Sequence, residues 1–323
     1  MKNQRINLGG KTICFFLSVA LLASCQKDVS ENENPTQTTP AVEEGLAPDT
    51  PTDIVEDNSG TYTTFTENRI VDPIANSSEA RTRYNLKFEY TTESSSALSQ
   101  ILNSLTNWNS FAKCCSYSIG RSTSYARTGS YSTRYELRKS DADVAGSKRT
   151  EANRSTSDES SVNVERWYGI SYFLPSAYVT DPAPEIVTQW QSPKGVQPPL
   201  AVWTYNGNWL IARSSGSTSI TTTTTSLGAY TKNAWTDFVF HIIWSTSSSG
   251  LIEVWKGGTK VYSKTGANTY SGQSKGNYLK NGIYKWPWKT GSYNSVTTSR
   301  VLYIDDVRIG LAGATYTDVS PGG

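Results

Sequence analysis

Tyr278-Leu279-Lys280-Asn281-Gly282-Ile283-Tyr284 sets polar and apolar side chains in alternation around Leu279 and Ile283. In an extended strand, successive side chains point to opposite faces. Tyr278, Lys280 and Tyr284 therefore share one face, while Leu279 and Ile283 turn the other way, into a core. The same habit recurs at Gln189-Trp190-Gln191, where Gln189 and Gln191 face one side and Trp190, with Ile186, the other. Arg149, Glu151 and Asn153 stand at alternate positions of Arg149-Thr150-Glu151-Ala152-Asn153-Arg154 and form a third such set.

Working outward, short runs rich in Val, Ile, Tyr, Phe, Trp and Thr continue through the chain, separated by Ser, Gly, Asn and Thr. Examples are Tyr131–Arg138, Trp167–Leu174, Glu185–Gln191, Leu200–Tyr205, Trp235–Trp244, Leu251–Lys256 and Val301–Ile309. No long 3.6-residue periodicity survives among them. Ser94–Leu105 is read as one short helix, and Ser214–Ser226, rich in Ser and Thr, as an exposed loop. Many strands without a repeat predict an all-β fold, a single β-jelly-roll sandwich of the concanavalin-like kind.

The N-terminus reads differently. Lys2, Arg5 and Lys11 precede the apolar run Ile13 to Leu22, which ends in Leu22-Ala23-Ser24-Cys25. A basic start, a short apolar stretch and small residues describe a secretory signal, too short to span a bilayer. The last four residues resemble a bacterial lipobox, which implies that Cys25 carries lipid. Residues 26–58 are rich in acids, Pro and Thr and lack aromatics, so they cannot bury enough apolar area to fold. Acids just after a lipidated cysteine resemble the surface-export signal of Bacteroidetes lipoproteins. The expected organisation is a lipoprotein signal over 1–24, a lipidated cysteine and acidic linker over 25–80, and a sandwich domain over 81–323. The chain would then be exported to the outer membrane or cell surface, held there by its lipid alone, and monomeric.

Net charge sharpens this division. The whole chain is +2, but residues 1–24 carry +3 and residues 25–58 carry −8, which leaves +7 on 59–323. A basic body attracts anionic partners at long range. Nucleic acid is disfavoured, because no nucleic-acid motif appears and an exported lipoprotein meets little of it. The four cysteines reduce to the adjacent pair Cys114 and Cys115 once Cys14 and Cys25 are set aside. Neighbouring cysteines rarely bridge each other, since the short ring strains a disulfide. With one histidine, His241, and no metal-ligand spacing, a zinc enzyme is nearly excluded and no metal is assigned. Asp305 and Asp306 could suggest structural calcium, but adjacent acids on a strand point to opposite faces and make a poor cage. No cofactor is required.

Paired Gln residues, and Tyr and Lys beside Trp286 and Trp288, suit a sugar groove better than an ordinary Lys/Glu surface does. Here the three segments resemble the signature strands of jelly-roll polysaccharide lyases of the alginate lyase type: Arg-Ser/Thr-Glu-Leu-Arg, Gln-Ile/Trp-His and Tyr-x-Lys-x-Gly-x-Tyr. The surrounding text is similar to the heparin lyase I and glucuronan lyase group. It includes Trp167-Tyr168-Gly169-Ile170-Ser171-Tyr172-Phe173-Leu174-Pro175, Pro198-Pro199-Leu200-Ala201-Val202, Phe240-His241-Ile242-Ile243-Trp244-Ser245, Glu253-Val254-Trp255 and Tyr303-Ile304-Asp305-Asp306-Val307-Arg308-Ile309-Gly310.

The resemblance implies β-elimination on an acidic, uronate-containing polysaccharide of the glucuronan or ulvan type, with heparin-like or alginate chains as the alternative substrates. Such an enzyme removes the C5 proton of a uronate and expels the C4 oxygen. The substrate carboxylate must be neutralised by amide donors or a cation; Gln189 and Arg149 suit that task. Tyr284 matches the catalytic tyrosine of the family and Lys280 its lysine. A free tyrosine titrates near ~10, so a base at neutrality needs nearby cations such as Lys280 or Arg149. Lys280 lies four residues before Tyr284, roughly 13 Å along a regular strand, unless Gly282 bends it. Gln191, Glu151, Tyr278, Asn153, Trp286 and His241 are the expected substrate-binding residues.

One position departs from the family. Gln191 stands where histidine is usual, and a glutamine cannot accept the C5 proton. Three alternatives stand: Tyr284 acts as both base and acid, His241 enters the site from another strand, or the activity is lost altogether. His241 shares a face with Val239 and Ile243, which favours a packed sheet histidine. Arg134, Glu136 and Arg138 share a face and fit either a subsite or an ion pair. Trp203, Tyr205 and Trp209 could stack on sugars or fill the core. Two rival classes remain: a non-catalytic glycan-binding sandwich, which would need the groove but not Tyr284, and a glycoside hydrolase. The hydrolase needs paired carboxylates a few ångströms apart, and no Glu-x-Asp-x-x-Glu strand motif occurs.

Overall fold

A computed structural model describes residues 85–90, 108–154, 161–216 and 220–322. The signal, Cys25, the acidic linker and the expected helix Ser94–Leu105 lie outside the described residues. The alternating runs become strands β1 to β15 in two antiparallel sheets. The eight-stranded sheet runs β13 (Thr259–Thr265), β12 (Leu251–Lys256), β11 (Trp235–Ile243), β6 (Glu165–Phe173), β15 (Ser299–Gly310), β4 (Ser132–Arg138) and β3 (Ile119–Ser122), with β1 (Leu86–Tyr90) also pairing β15. The seven-stranded sheet runs β10 (Thr221–Ala229), β9 (Asn208–Ser215), β8 (Leu200–Tyr205), β7 (Glu185–Gln191), β14 (Tyr278–Tyr284), β5 (Arg149–Asn153) and β2 (Ser110–Ala112). Two one-turn helices, α1 (Pro287–Thr290) and α2 (Tyr316–Val319), follow β14 and β15.

The core lies between the sheets and is built by the alternation. Phe238, Phe240 and Ile242 of β11 meet Trp190 of β7 and Leu279 and Ile283 of β14 in one buried cluster. Trp190 packs edge-on to Tyr168 and Phe240, with centroids 5.1 and 5.0 Å away, and so ties one sheet to the other. Burying a large side chain of this kind stabilises the fold by about 1.5–3 kcal/mol.

A second tie is ionic. Arg300 of β15 reaches across to Glu185 of β7, with Nη2 2.7 Å from Oε1, and the fully buried Lys285 pairs with Asp181 at 2.9 Å and Glu185 at 3.3 Å. Burial opposes ionisation of Glu185, but the charges of Arg300 and Lys285 prevail and lower its pKa from 4.5 to about 2. Its contribution to stability is therefore present above pH 4.5 and is lost as pH falls toward 2. Removing one member of a buried pair leaves an uncompensated charge, so Arg300→Met is expected to cost about 3–5 kcal/mol. A thermal melt at neutral pH tests this; an unchanged Tm would show that the network does not hold the sheets.

Three expectations are corrected here. Most of the Ser214–Ser226 stretch that the structure describes is strand: Ser214 and Ser215 end β9, and Thr221 to Ser226 pair antiparallel with Ser215 to Leu210 as an edge strand. β-Branched threonine favours strands, and Ser/Thr richness concealed it. Asp305 and Asp306 do not diverge. Asp306 sits at φ 50°, where β15 breaks register with β6, and both carboxylates turn to Thr128. Asp305 accepts from the Thr128 backbone N–H (3.5 Å) and Asp306 from its hydroxyl (2.6 Å). Finally, Cys114 and Cys115 are joined in a disulfide.

Candidate active site

β14 lies between β7 and β5, and its register decides which side chains meet. Against β5, Lys280 stands opposite Asn153, Gly282 opposite Glu151, and Tyr284 opposite Arg149. Against β7, Tyr278 faces Gln191 and Lys280 faces Gln189, then the register shifts so that Tyr284 faces Ile186. Gly282, at φ 144°, lies inside that shift. A Cβ there would fall 2.1 Å from the Thr150 carbonyl oxygen, so only glycine lets β14 and β5 approach this closely. The pairing of β14 with β7 is thus irregular around Gly282.

The outward face of these strands gathers Tyr278, Lys280, Tyr284, Gln189, Gln191, Arg149, Glu151 and Asn153, as alternation requires. Arg149 lies over the Tyr284 ring, its Cζ 4.2 Å from the centroid. Its Nη1 is 3.5 Å from Glu151 Oε2, and its Nη2 donates to the Ala145 carbonyl at 3.4 Å. Gln189 donates from Nε2 to Glu151 Oε1. Glu151 thus holds both the guanidinium and the amide in place. Lys280 Nζ lies 5.5 Å from the Tyr278 ring.

Hydrogen-bond accounting marks β5. Buried polar atoms nearly always find partners, yet Arg149 Nε, Glu151 Oε2 and Asn153 Oδ1 have no hydrogen-bond partner among the described residues. These three atoms occupy consecutive outward positions of one strand, beside Tyr284. Asn153 otherwise donates to Ser110 Oγ at 3.2 Å. Gln191 differs: its Nε2 donates to the Val196 and Ser192 carbonyls at 2.7 and 3.2 Å. Its amide hydrogens hold the loop after β7 rather than reaching outward.

Several expected residues are placed otherwise. Ile186 does not share a face with Trp190. An irregularity of register against β8 between Ile186 and Thr188 turns Ile186 outward, where it packs with Tyr284, Trp286, Ala201, Ala212 and Trp203. That apolar apron escaped the sequence reading, and only strand pairing reveals it. Trp286 and Trp203 meet edge-on at 5.0 Å on this face. Trp288 and Trp209 lie in the core between the sheets. His241 is on the eight-stranded sheet, on the opposite side of the sandwich, and does not reach the site. Its ring stacks on Trp167 at 4.1 Å, with Nε2 2.7 Å from Glu165 and Nδ1 3.1 Å from Glu253. Arg134 and Arg138 both pair with Glu136 on β4, so that trio is an ion cluster of the other sheet.

Residues 96–308 match the polysaccharide lyase family. Among solved structures, an endo-β-1,4-glucuronan lyase from the fungus Trichoderma reesei is 17% identical, covers 73% of this chain and 98% of its own, and superposes with a TM-score of 0.61. At that identity the likeness establishes a shared fold. An alginate lyase from Aplysia kurodai is 10% identical over 70% of this chain and 99% of its own, with a TM-score of 0.49. No curated protein matches. The family match extends from before β2 into β15 and takes in every outward-facing residue of β5, β7 and β14: this chain belongs to the polysaccharide lyase family.

Proposed function

We propose that the chain cleaves a glucuronate-containing polysaccharide, of the glucuronan or ulvan type, by β-elimination, with Tyr284 as both base and acid. The observation that carries this reading is the guanidinium of Arg149 over the Tyr284 ring beside a row of buried β5 atoms, Arg149 Nε, Glu151 Oε2 and Asn153 Oδ1, that lack a hydrogen-bond partner among the described residues. The substrate carboxylate would take Arg149 Nε and the second amide hydrogen of Gln189. Glu151 acts as a positioning residue that fixes both donors before substrate arrives, so little reorganisation is left for the reaction. The guanidinium over the Tyr284 ring favours negative charge on the phenol as it gives up its proton. Tyr284 then takes the C5 proton and returns one to the C4 oxygen, leaving a 4,5-unsaturated uronate.

With His241 on the far sheet and the Gln191 amide bound to backbone, neither offers a second proton-transfer group, which supports the reading that Tyr284 serves both steps. That requires the C5 hydrogen and C4 oxygen to lie on the same face of the sugar, as they do in glucuronate and do not in iduronate. Lys280, on the same strand, would serve a neighbouring sugar, and the apron of Trp203 and Trp286 would take a pyranose face. A panel of glucuronan, ulvan, heparin and alginate, with products separated by mass, tests the substrate. Unsaturated products from the first two support the reading, and products from alginate alone would sink it. The chain would act as an exported lipoprotein anchored through Cys25.

A further inference from the structure

Among the described residues, one cluster outside the candidate active site brings together groups that bind metals. The Cys114–Cys115 disulfide lies half-buried in the connection between β2 and β3, and Asp141 lies in the connection between β4 and β5. The ligand atoms of all three residues lie within 4.8 Å of one another. We propose that, once the disulfide is reduced, Cys114, Cys115 and Asp141 form a site for one thiophilic divalent cation, Zn²⁺ by choice of donors.

The geometry suits such an ion. A tetrahedral zinc holds sulfur at about 2.3 Å and carboxylate oxygen at about 2.0–2.2 Å, so its ligand atoms stand roughly 3.5–4 Å apart. Two thiolates and a carboxylate lie within that span after modest parting of the sulfurs, and water completes the shell. Asp141 is buried and already aimed: one oxygen accepts from the Tyr117 hydroxyl and the other from the Arg138 backbone N–H at 2.8 Å. Ligating carboxylates are commonly oriented by just such hydrogen bonds. Two thiolates with Asp141 carry three negative charges. Nearby cations are Arg138, which stacks on Tyr117 at 3.9 Å, and Lys148, which donates to the Asp141 carbonyl. They offset that charge only in part, which leaves room for a divalent ion.

The chemistry balances in two steps. A dithiol reductant exchanges with the disulfide, becoming a disulfide itself while Cys114 and Cys115 each gain a hydrogen. The ion then displaces both thiol protons to solvent. The ion would join two connections that flank β5: Ser118, three residues after Cys115, accepts at its carbonyl from Thr150 Oγ1 at 3.2 Å, and Ala145 holds Arg149.

The test uses the full chain with Cys14 and Cys25 replaced by serine, so that only this pair can bind. Cd²⁺ is titrated into oxidised and phosphine-reduced protein while thiolate-to-metal charge-transfer absorbance is followed, and Zn²⁺ is then used to compete. The expected result is one ion per chain after reduction and none before. Cys115→Ser should lose the two-thiolate band. Asp141→Asn should weaken binding by more than the roughly 10- to 100-fold that an outer partner of a ligand is worth. Circular dichroism confirms that each variant is folded. The proposal is overturned if oxidised protein binds equally, if Asp141→Asn or Cys115→Ser binds as wild type does, or if the native pair resists reduction.

Discussion

Tyr284→Phe is expected to lower kcat by about 10³- to 10⁴-fold, because a positioned acid or base contributes about 10²–10⁴ and in the proposed mechanism one hydroxyl serves both steps. That loss corresponds to roughly 4–5.5 kcal/mol of transition-state stabilisation. Phenylalanine keeps the ring under Arg149, 4.2 Å from its Cζ, and keeps the packing on Ile186 and Trp286. Glycan affinity and Tm should therefore stay near wild type. Steady-state kinetics with a binding isotherm on the same glycan separates the two. A variant that keeps a tenth of the activity would remove Tyr284 from the chemistry, and one that loses binding in parallel would make it a platform.

Gly282→Ala should be severely damaging to both fold and site. The residue holds φ 144°, a conformation that costs an L-residue about 1–3 kcal/mol. The added carbon would also fall 2.1 Å from the Thr150 carbonyl oxygen and 2.8 Å from Glu151 Cα. These are backbone atoms of a paired strand and cannot swing aside. Strain and overpacking together predict a loss upwards of about 3 kcal/mol. β14 can relieve the clash only by parting from β5, which takes Tyr284 off Arg149, so the folded fraction should also lose kcat. Melting temperature and kcat, measured below the lowered Tm, test both halves. A variant with wild-type values in each would show that the two strands need no such close approach.

The parts of the site that follow alternation were legible in the sequence. Tyr278, Lys280 and Tyr284 share a face because a strand has period two, and Arg149, Glu151 and Asn153 do so for the same reason. Legibility failed where that period breaks or where distant strands pair. Ile186 moved to the outward face because of a register irregularity that no local pattern signals. His241 was read correctly as sharing a face with Val239 and Ile243, but which sheet carried it depended on β11 pairing with β6 and β12. The commitment of Gln191 to the Val196 and Ser192 carbonyls likewise depends on the path of a loop. Asp306 adopts a left-handed conformation within a strand, so the rule of opposite faces failed for the Asp305–Asp306 pair. At Gly282 the sequence suggested only a possible bend, whereas the structure shows a close approach of β14 to β5 that depends on strand pairing.

The central claim, elimination rather than hydrolysis or mere capture, turns on the product. Purified chain is incubated with glucuronan and the oligosaccharides are analysed by mass spectrometry and ultraviolet absorbance. Elimination predicts non-reducing ends that carry a 4,5-double bond, each product lighter by one water than its hydrolytic counterpart, and absorbance rising in step with new reducing ends. New reducing ends without that absorbance and mass deficit would contradict the account.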